Sequence, residues 1–544
     1  MIPSIIAAIA AASIAVPSPS APLPLRADSE MLWIFHDGRR QAPWVISPQI
    51  PVDSLLTSAR EVTLTSGIDT LRISTATMTD YSSADINVIT ATGDTALTRL
   101  VKIPEVVYAN PPASMKRRPG SRLSREQALF DIDALVYALT EIHPDIYSVA
   151  GHEKLHRAFN AAREAVTDSM TTIDLYRITA PAVSLIGDGH TMLRFPFNDL
   201  LTRELRRLPL HVGVKPDGTL TASRSYDSLI PAGARIRSIN GVADSTMISA
   251  MLPYVSGERR HFKFSRINDL FNALFELFYG GADSYEVAYT TGADPEMKRV
   301  ALPAATWDEI GVHMPKAADV EPGQPYSYTI DSDKGVAVMD FNACRGSYNM
   351  MKSFCDSMFT DLRNRGIDRL IIDVRKNGGG DSRVGDALLS YLAPRPFTQF
   401  DKTLVKISPM TARMTGRTDG RPTVRFQALD PDNYIKPLTA DEGHFGGTTV
   451  LLTSSDTFSS ASSFAWAFRQ AGCGKVVGEE TGGMNVSFGD ILGWSMPISG
   501  LYSTISWKRF WLMEADEFDI HGVIPDVAVD ADAALNTALG ILSR

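Results

Sequence analysis

Four groups of residues in this sequence have types and spacings suited to acyl-transfer chemistry. Ser460 lies in Thr457-Phe458-Ser459-Ser460-Ala461-Ser462-Ser463, between an apolar, strand-like run at 448–452 and a helical run at 460–471. A serine at a strand-to-helix junction projects its hydroxyl from a tight turn, and the helix start supplies N–H groups where negative charge can develop. The same placement also suits a plain helix N-cap, a position that serine often fills. Arg375-Lys376-Asn377-Gly378-Gly379-Gly380 directly follows a second apolar run at 370–374. Consecutive glycines let backbone amides come close to an oxyanion, although they also serve as an ordinary turn. No Gly-Lys-Ser/Thr follows them, which excludes a nucleotide phosphate loop. His190 sits in Ile186-Gly187-Asp188-Gly189-His190-Thr191, a glycine-flanked turn that either presents an imidazole for proton transfer or holds it structurally. Asp519 belongs to the acidic run Asp516-Glu517-Phe518-Asp519, whose plain reading is a solvated face. Singly these signals are weak, but together they supply a nucleophile, a base, an acid and an oxyanion cradle.

The elements that must position these groups change character along the chain. Residues 61–64, 70–73 and 86–89 alternate apolar and polar side chains between turn residues, which predicts a small β domain over 25–109. A Pro- and Gly-containing linker at 110–121 follows. From Ser124 the apolar residues Ala128, Ile132, Leu135, Val136, Leu139 and Ile142 recur at helical spacing, with further helices expected at 153–166 and 172–185. This helical part, 122–205, carries His190. Within 206–300, Asn240-Gly241 before Val242 signals a hairpin, with a short helix expected at 247–252. Beyond 325 strands at 335–341, 369–374 and 448–452 alternate with helices at 348–363, 382–392 and 460–471. That alternation predicts a multidomain α/β protein whose core spans 325–544.

Composition narrows the function classes. The 544 residues exceed what one hydrophobic core organises, and 44% hydrophobic with 21% charged residues is ordinary for a globular chain. A net charge of −9 opposes a nucleic-acid partner. Residues 5–16 form an apolar run followed by a small, Pro-rich stretch, so 1–24 is read as a signal peptide and the protein as exported, periplasmic or extracellular. No other run is long enough for a membrane span. Cys344, Cys355 and Cys473 show no metal-type pairing and read as buried or partly buried thiols, with a Cys344–Cys355 bridge as the alternative.

The wording and order of the motifs resemble the tail-specific, or C-terminal processing, serine peptidases and the tricorn protease core. The family's D-x-R-x-N-x-G-G appears at Asp373 to Gly380, its S-A-S at Ser460-Ala461-Ser462, its V-V-G-E-x-T-x-G at 476–483, and its closing G-V-x-P-D at 522–526. The resemblance runs from about Ser124 to the end and implies a ClpP/crotonase-like core with an inserted PDZ-like domain at 206–300. It implies a serine endopeptidase acting on peptide or protein substrates, with no cofactor and no metal. The processing peptidases place a basic lysine where this chain has Met484, which cannot accept a proton. The tricorn-like branch instead uses an upstream histidine and a late acid, which implies His190 as base and Asp519 as acid, with Glu514, Asp516 and Glu517 as fallbacks. It further implies an oxyanion hole of the Gly379 and Ala461 N–H groups.

Met484 also admits a second reading, a catalytically silent protein that binds ligands or peptides on the same fold. An α/β-hydrolase is excluded by the absence of G-x-S-x-G and by a histidine that precedes the serine. A metallopeptidase lacks its H-E-x-x-H, and His152 and His156 read as an exposed helix face.

Overall fold

The computed structural model describes residues 122–201, 204–292, 294–314, 324–416 and 423–543, together with seven strands between Leu32 and Val101. Those strands form a four-stranded and a three-stranded antiparallel sheet, with Glu61–Ser66, Asp69–Ser74 and Ser83–Ile89 at the expected places. The expected signal peptide and linker lie outside the described residues. The chain folds into two compact units. One gathers residues 1–199, 403–427 and 488–509, and the other 200–402, 428–487 and 510–544.

In the first unit, the helix Arg125–Ile142 starts at a capping box. Ser124 accepts from the Gln127 N–H, and the Gln127 side chain accepts from the Ser124 N–H. The helix buries Ala128, Ile132, Leu135 and Leu139, the residues whose spacing announced it. Helices His152–Glu164 and Thr172–Ser184 follow. Most of an antiparallel sheet also lies here, in the order Thr423–Ala428, Phe400–Ile407, Tyr502–Leu512, Val486–Ser495. The short strand Met192–Leu193, just past His190, joins it by pairing Ser503 with Leu193 and Thr504 with Met192.

The second unit is built on a six-stranded sheet ordered Tyr326–Asp331, Val336–Phe341, Arg369–Asp373, Thr448–Thr453, Lys475–Gly478, Val527–Ala528. Every pairing after the first is parallel. Its central strands are apolar on both sides because both faces are covered. Leu370, Ile372 and Leu451 pack under the helices Tyr348–Asn364, Ser382–Leu392 and Ser460–Ala471. Ile371, Val450 and Leu452 meet Ala534, Ala538 and Leu542 of the last helix. A separate antiparallel sheet of this unit runs Asp294–Pro303, Ser284–Thr291, Arg235–Ile239, Leu220–Ser225, Leu210–Val214. Its expected hairpin is present: Ile239 pairs with Val242 across Asn240 and Gly241, which take φ of 48° and 78°. The 20-residue helix Arg260–Tyr279 has no counterpart in the sequence reading. Among the described residues, no helix is long and apolar enough to cross a membrane.

Candidate active site

Ser460, Gly379 and Ala461 belong to the second unit. The strand Thr448–Thr453 ends at a tight turn in which the Thr457 hydroxyl donates to Val374 O and the Ser454 hydroxyl to Arg375 O. The Ser460 turn is thereby bound to the glycine loop that leaves the neighbouring strand. Ser459 takes φ 54°, ψ −128°, a region that costs a non-glycine residue about 1–3 kcal/mol. Ser460 is the first residue of the helix Ser460–Ala471, and the cap position falls on Ser459, which makes no capping bond. The plain N-cap reading of Ser460 therefore does not hold. Its hydroxyl donates instead to Gly380 O at 2.6 Å.

The glycine loop needs its glycines. Gly379 has φ 99°, and a Cβ there would stand 2.6 Å from Ser459 Cβ and 3.0 Å from Ser460 N. At Gly380, φ 139°, a Cβ would stand 2.1 Å from Cys344 O. Buried Asn377 shapes the loop: its Nδ2 donates to Phe341 O at 2.9 Å, and its Oδ1 accepts the Gly379 N–H at 2.9 Å. The Ala461 N–H donates to Phe458 O at 3.1 Å. Both expected oxyanion donors thus lie in the loop and turn around Ser460, and both already carry an internal partner. Met484 is buried.

An aromatic contact supports the turn from the helix Arg260–Tyr279. Phe262 stacks on Phe458 with centroids 4.2 Å apart, and the Ser265 hydroxyl donates to Asp456. His261 reaches Thr481 O at 3.2 Å.

His190 belongs to the first unit. Its turn is fixed by the Thr504 hydroxyl, which donates to His190 O at 2.8 Å, and by the Ser506 N–H, which donates to Thr191 Oγ1 at 3.0 Å. One carboxylate beside the ring is Asp188, whose Oδ1 lies 3.5 Å from His190 Nδ1 and accepts the His190 N–H at 2.9 Å. Its Oδ2 accepts the Ser506 hydroxyl at 2.6 Å and faces His143 Nε2 at 3.2 Å. Burial alone would push the Asp188 carboxyl up, but hydrogen bonds from His143 and His190 outweigh it and hold the group well below the usual carboxylate range. Asp519, in the second unit, has a side chain 78% exposed, and its carboxylate is 3.8 Å from His521 Nε2. Of the fallbacks, Glu514 pairs with Arg395 at 3.2 Å and Glu517 accepts from Trp511 Nε1 at 3.2 Å.

The sequence reading singled out neither Asp188 nor His143. For Asp188 the signal was present, since a carboxylate two residues before a histidine can accept that residue's own N–H. His143 gave none, because 45 residues separate it from Asp188.

Residues 336–529 match the family model described as Peptidase family S41. No curated protein matches the sequence. Among solved structures, mature CPAF complexed with lactacystin is similar at TM-score 0.54 and 12% identity, over 77% of this chain and 97% of that one. Mature CPAF itself is similar at TM-score 0.54 and 13% identity, over 77% and 96%. The photosystem II D1 C-terminal processing protease gives TM-score 0.41 and 14% identity, over 77% and 97%. The CPAF likenesses show a shared fold, and the match over 336–529 covers the glycine loop, the Ser460 turn and Asp519. Residues 336–529 thus form a peptidase family S41 domain, and the chain is a serine-type peptidase.

Proposed function

We propose that this peptidase cleaves peptide or protein substrates outside the cytoplasm by acyl-enzyme chemistry at Ser460. The observation that carries the reading is the Ser460 hydroxyl at a helix start, 2.6 Å from the carbonyl of a loop in which an added Cβ at either Gly379 or Gly380 would collide. Ser460 Oγ attacks the scissile carbonyl as its proton passes to a histidine, His190 by the family resemblance, which then protonates the leaving amine. An acid orients that imidazole, and the resemblance nominates Asp519. The tetrahedral oxyanion is received by N–H groups of the glycine loop and the helix start. For Gly379 this requires its N–H to exchange Asn377 Oδ1 for the substrate oxygen, a contact worth about 3 kcal/mol of barrier in comparable sites. The antiparallel sheet over 210–303 supports a PDZ-like role in which an extended peptide joins a sheet edge.

Ser460→Ala and His190→Ala are each expected to lower kcat by about 10⁴-fold or more on a peptide substrate. A fluorophosphonate probe is expected to label the wild type at Ser460 and to leave Ser460→Ala unlabelled. Because the base must be neutral, the rate falls on the acid side of the pH profile. Full activity in either variant sinks the assignment, and an unlabelled but folded wild type favours the silent binder. Export is checked separately, by the cell fraction holding the protein and by the mass of its mature N-terminus.

A further inference from the structure

We infer that Asp188 is the carboxylate that positions His190, and that His143 shares this carboxylate as a second, fixed imidazole. The inference rests on the assignment of His190 to the reaction and deepens it by naming the residues that hold the base in place.

The arrangement is contained within one unit. Asp188 has no exposed surface, and three of its partners are donors with defined geometry. The His190 N–H donates to Oδ1 at 2.9 Å, which locks the turn, and the same oxygen faces His190 Nδ1 at 3.5 Å. Oδ2 takes the Ser506 hydroxyl at 2.6 Å and His143 Nε2 at 3.2 Å. The tautomer of His143 follows from its other nitrogen. Nδ1 accepts the Asp145 N–H at 3.0 Å, so the ring proton belongs on Nε2, directed at Asp188. His143 is buried, with its ring 4.4 Å from that of Phe488 and its carbonyl held by Lys406 Nζ at 2.8 Å. It therefore pins the carboxylate and does not compete for substrate. The buried carboxylate faces His190 Nδ1 at 3.5 Å, which favours the ring proton on Nδ1, leaves Nε2 as the accepting nitrogen and offsets the charge of the imidazolium. Donors at both oxygens favour ionised Asp188 and hold its carboxyl below the usual carboxylate range. Asp519 differs on each count: it is mostly solvated, and its facing imidazole is His521.

The test uses the full chain with Asp188→Asn, Ser460→Ala and His190→Ala. Side-chain ¹⁵N spectra of the histidine-labelled wild type supply a second readout. Asp188→Asn is expected to lower kcat by about 10³- to 10⁴-fold while KM stays within about threefold, as removal of an imidazole-orienting charge does elsewhere. The neutral form of His190 is expected as the Nδ1–H tautomer and that of His143 as Nε2–H. An Nε2–H tautomer at His190, or a folded Asp188→Asn with kcat within about threefold of wild type, overturns the inference. If Asp188→Asn does not fold, the tautomer measurement on the unaltered chain decides. Dead Ser460→Ala and His190→Ala beside an active Asp188→Asn sinks this inference alone. Full activity in either control sinks the hydrolytic reading itself.

Discussion

Asn377 shows how one side chain can hold a reactive loop in shape. It is buried, and it satisfies Phe341 O with its Nδ2 and the Gly379 N–H with its Oδ1. Its own carbonyl accepts the Phe458 N–H at 3.0 Å, which joins the loop to the Ser460 turn. Asn377→Ala leaves the buried Phe341 carbonyl without this donor and frees the part-buried Gly379 N–H, so urea unfolding should show a loss of about 1–3 kcal/mol. An unchanged midpoint would mean that other groups shape the loop. The Ser460 turn and the glycine loop were legible as motifs in the sequence because each is built from contiguous residues. The sequence hid the imidazole's partners for the opposite reason. Ser503, Thr504 and Ser506 are buried polar residues in a strand, and they read as surface until their bonds to the His190 segment are seen.

Among elements, the C-terminal end of the helix Arg125–Ile142 depends on a residue far away in the chain. Lys406 donates to Thr140 O and His143 O, carbonyls that the helix leaves without partners. Burial pulls its pKa down to about 7, against a partial opposing effect of Glu141 and Asp145. Between that value and the unfolded one near 10.5, the unfolded chain binds more protons, so this group makes stability rise with pH across that window. The stability difference between wild type and Lys406→Met should therefore change with pH at up to about 1.4 kcal/mol per unit there, and a flat difference would refute it. The helix Arg260–Tyr279 makes a second such dependence. Phe262 fills the space over Phe458, and a Cβ on Gly482 would stand 2.4 Å from its ring. Phe262→Ala should cost about 3–5 kcal/mol, read by denaturant unfolding. That helix was illegible because its start carries no capping side chain and no acidic first turn. The helices Ser382–Leu392 and Ser460–Ala471, by contrast, lie where the strand–helix alternation put them. The long strands Tyr502–Leu512 and Val486–Ser495 were missed because buried polar residues and internal glycines break their alternation.

At the scale of the molecule, Cys344 and Cys355 behave as core atoms and Cys473 packs partly buried against the same core. All three are free, and burial pushes Cys344 and Cys473 up to about 12 and Cys355 higher still. A thiol-disulfide reagent at pH 8 should leave Cys344 and Cys355 unlabelled in the native protein and take up three equivalents after unfolding, and a thiol blocker should not slow peptide hydrolysis. Rapid native labelling of Cys344 or Cys355 would contradict the buried placement. The α/β core was legible because parallel strands covered on both faces are continuous apolar runs. The gathering of 403–427 and 488–509 with the N-terminal part was not, since nothing local in a strand names its neighbours. In the core, Asp373 and Leu452 are register partners on adjacent parallel strands, and the glycine loop and the Ser460 turn spring from the ends of those two strands. Their separation is set by the spacing of neighbouring rungs, about 4.8 Å, and owes little to any side chain. Redesign of substrate preference can therefore exchange whatever hangs from the rim of the sheet and leave the reacting centre anchored to its backbone ladder.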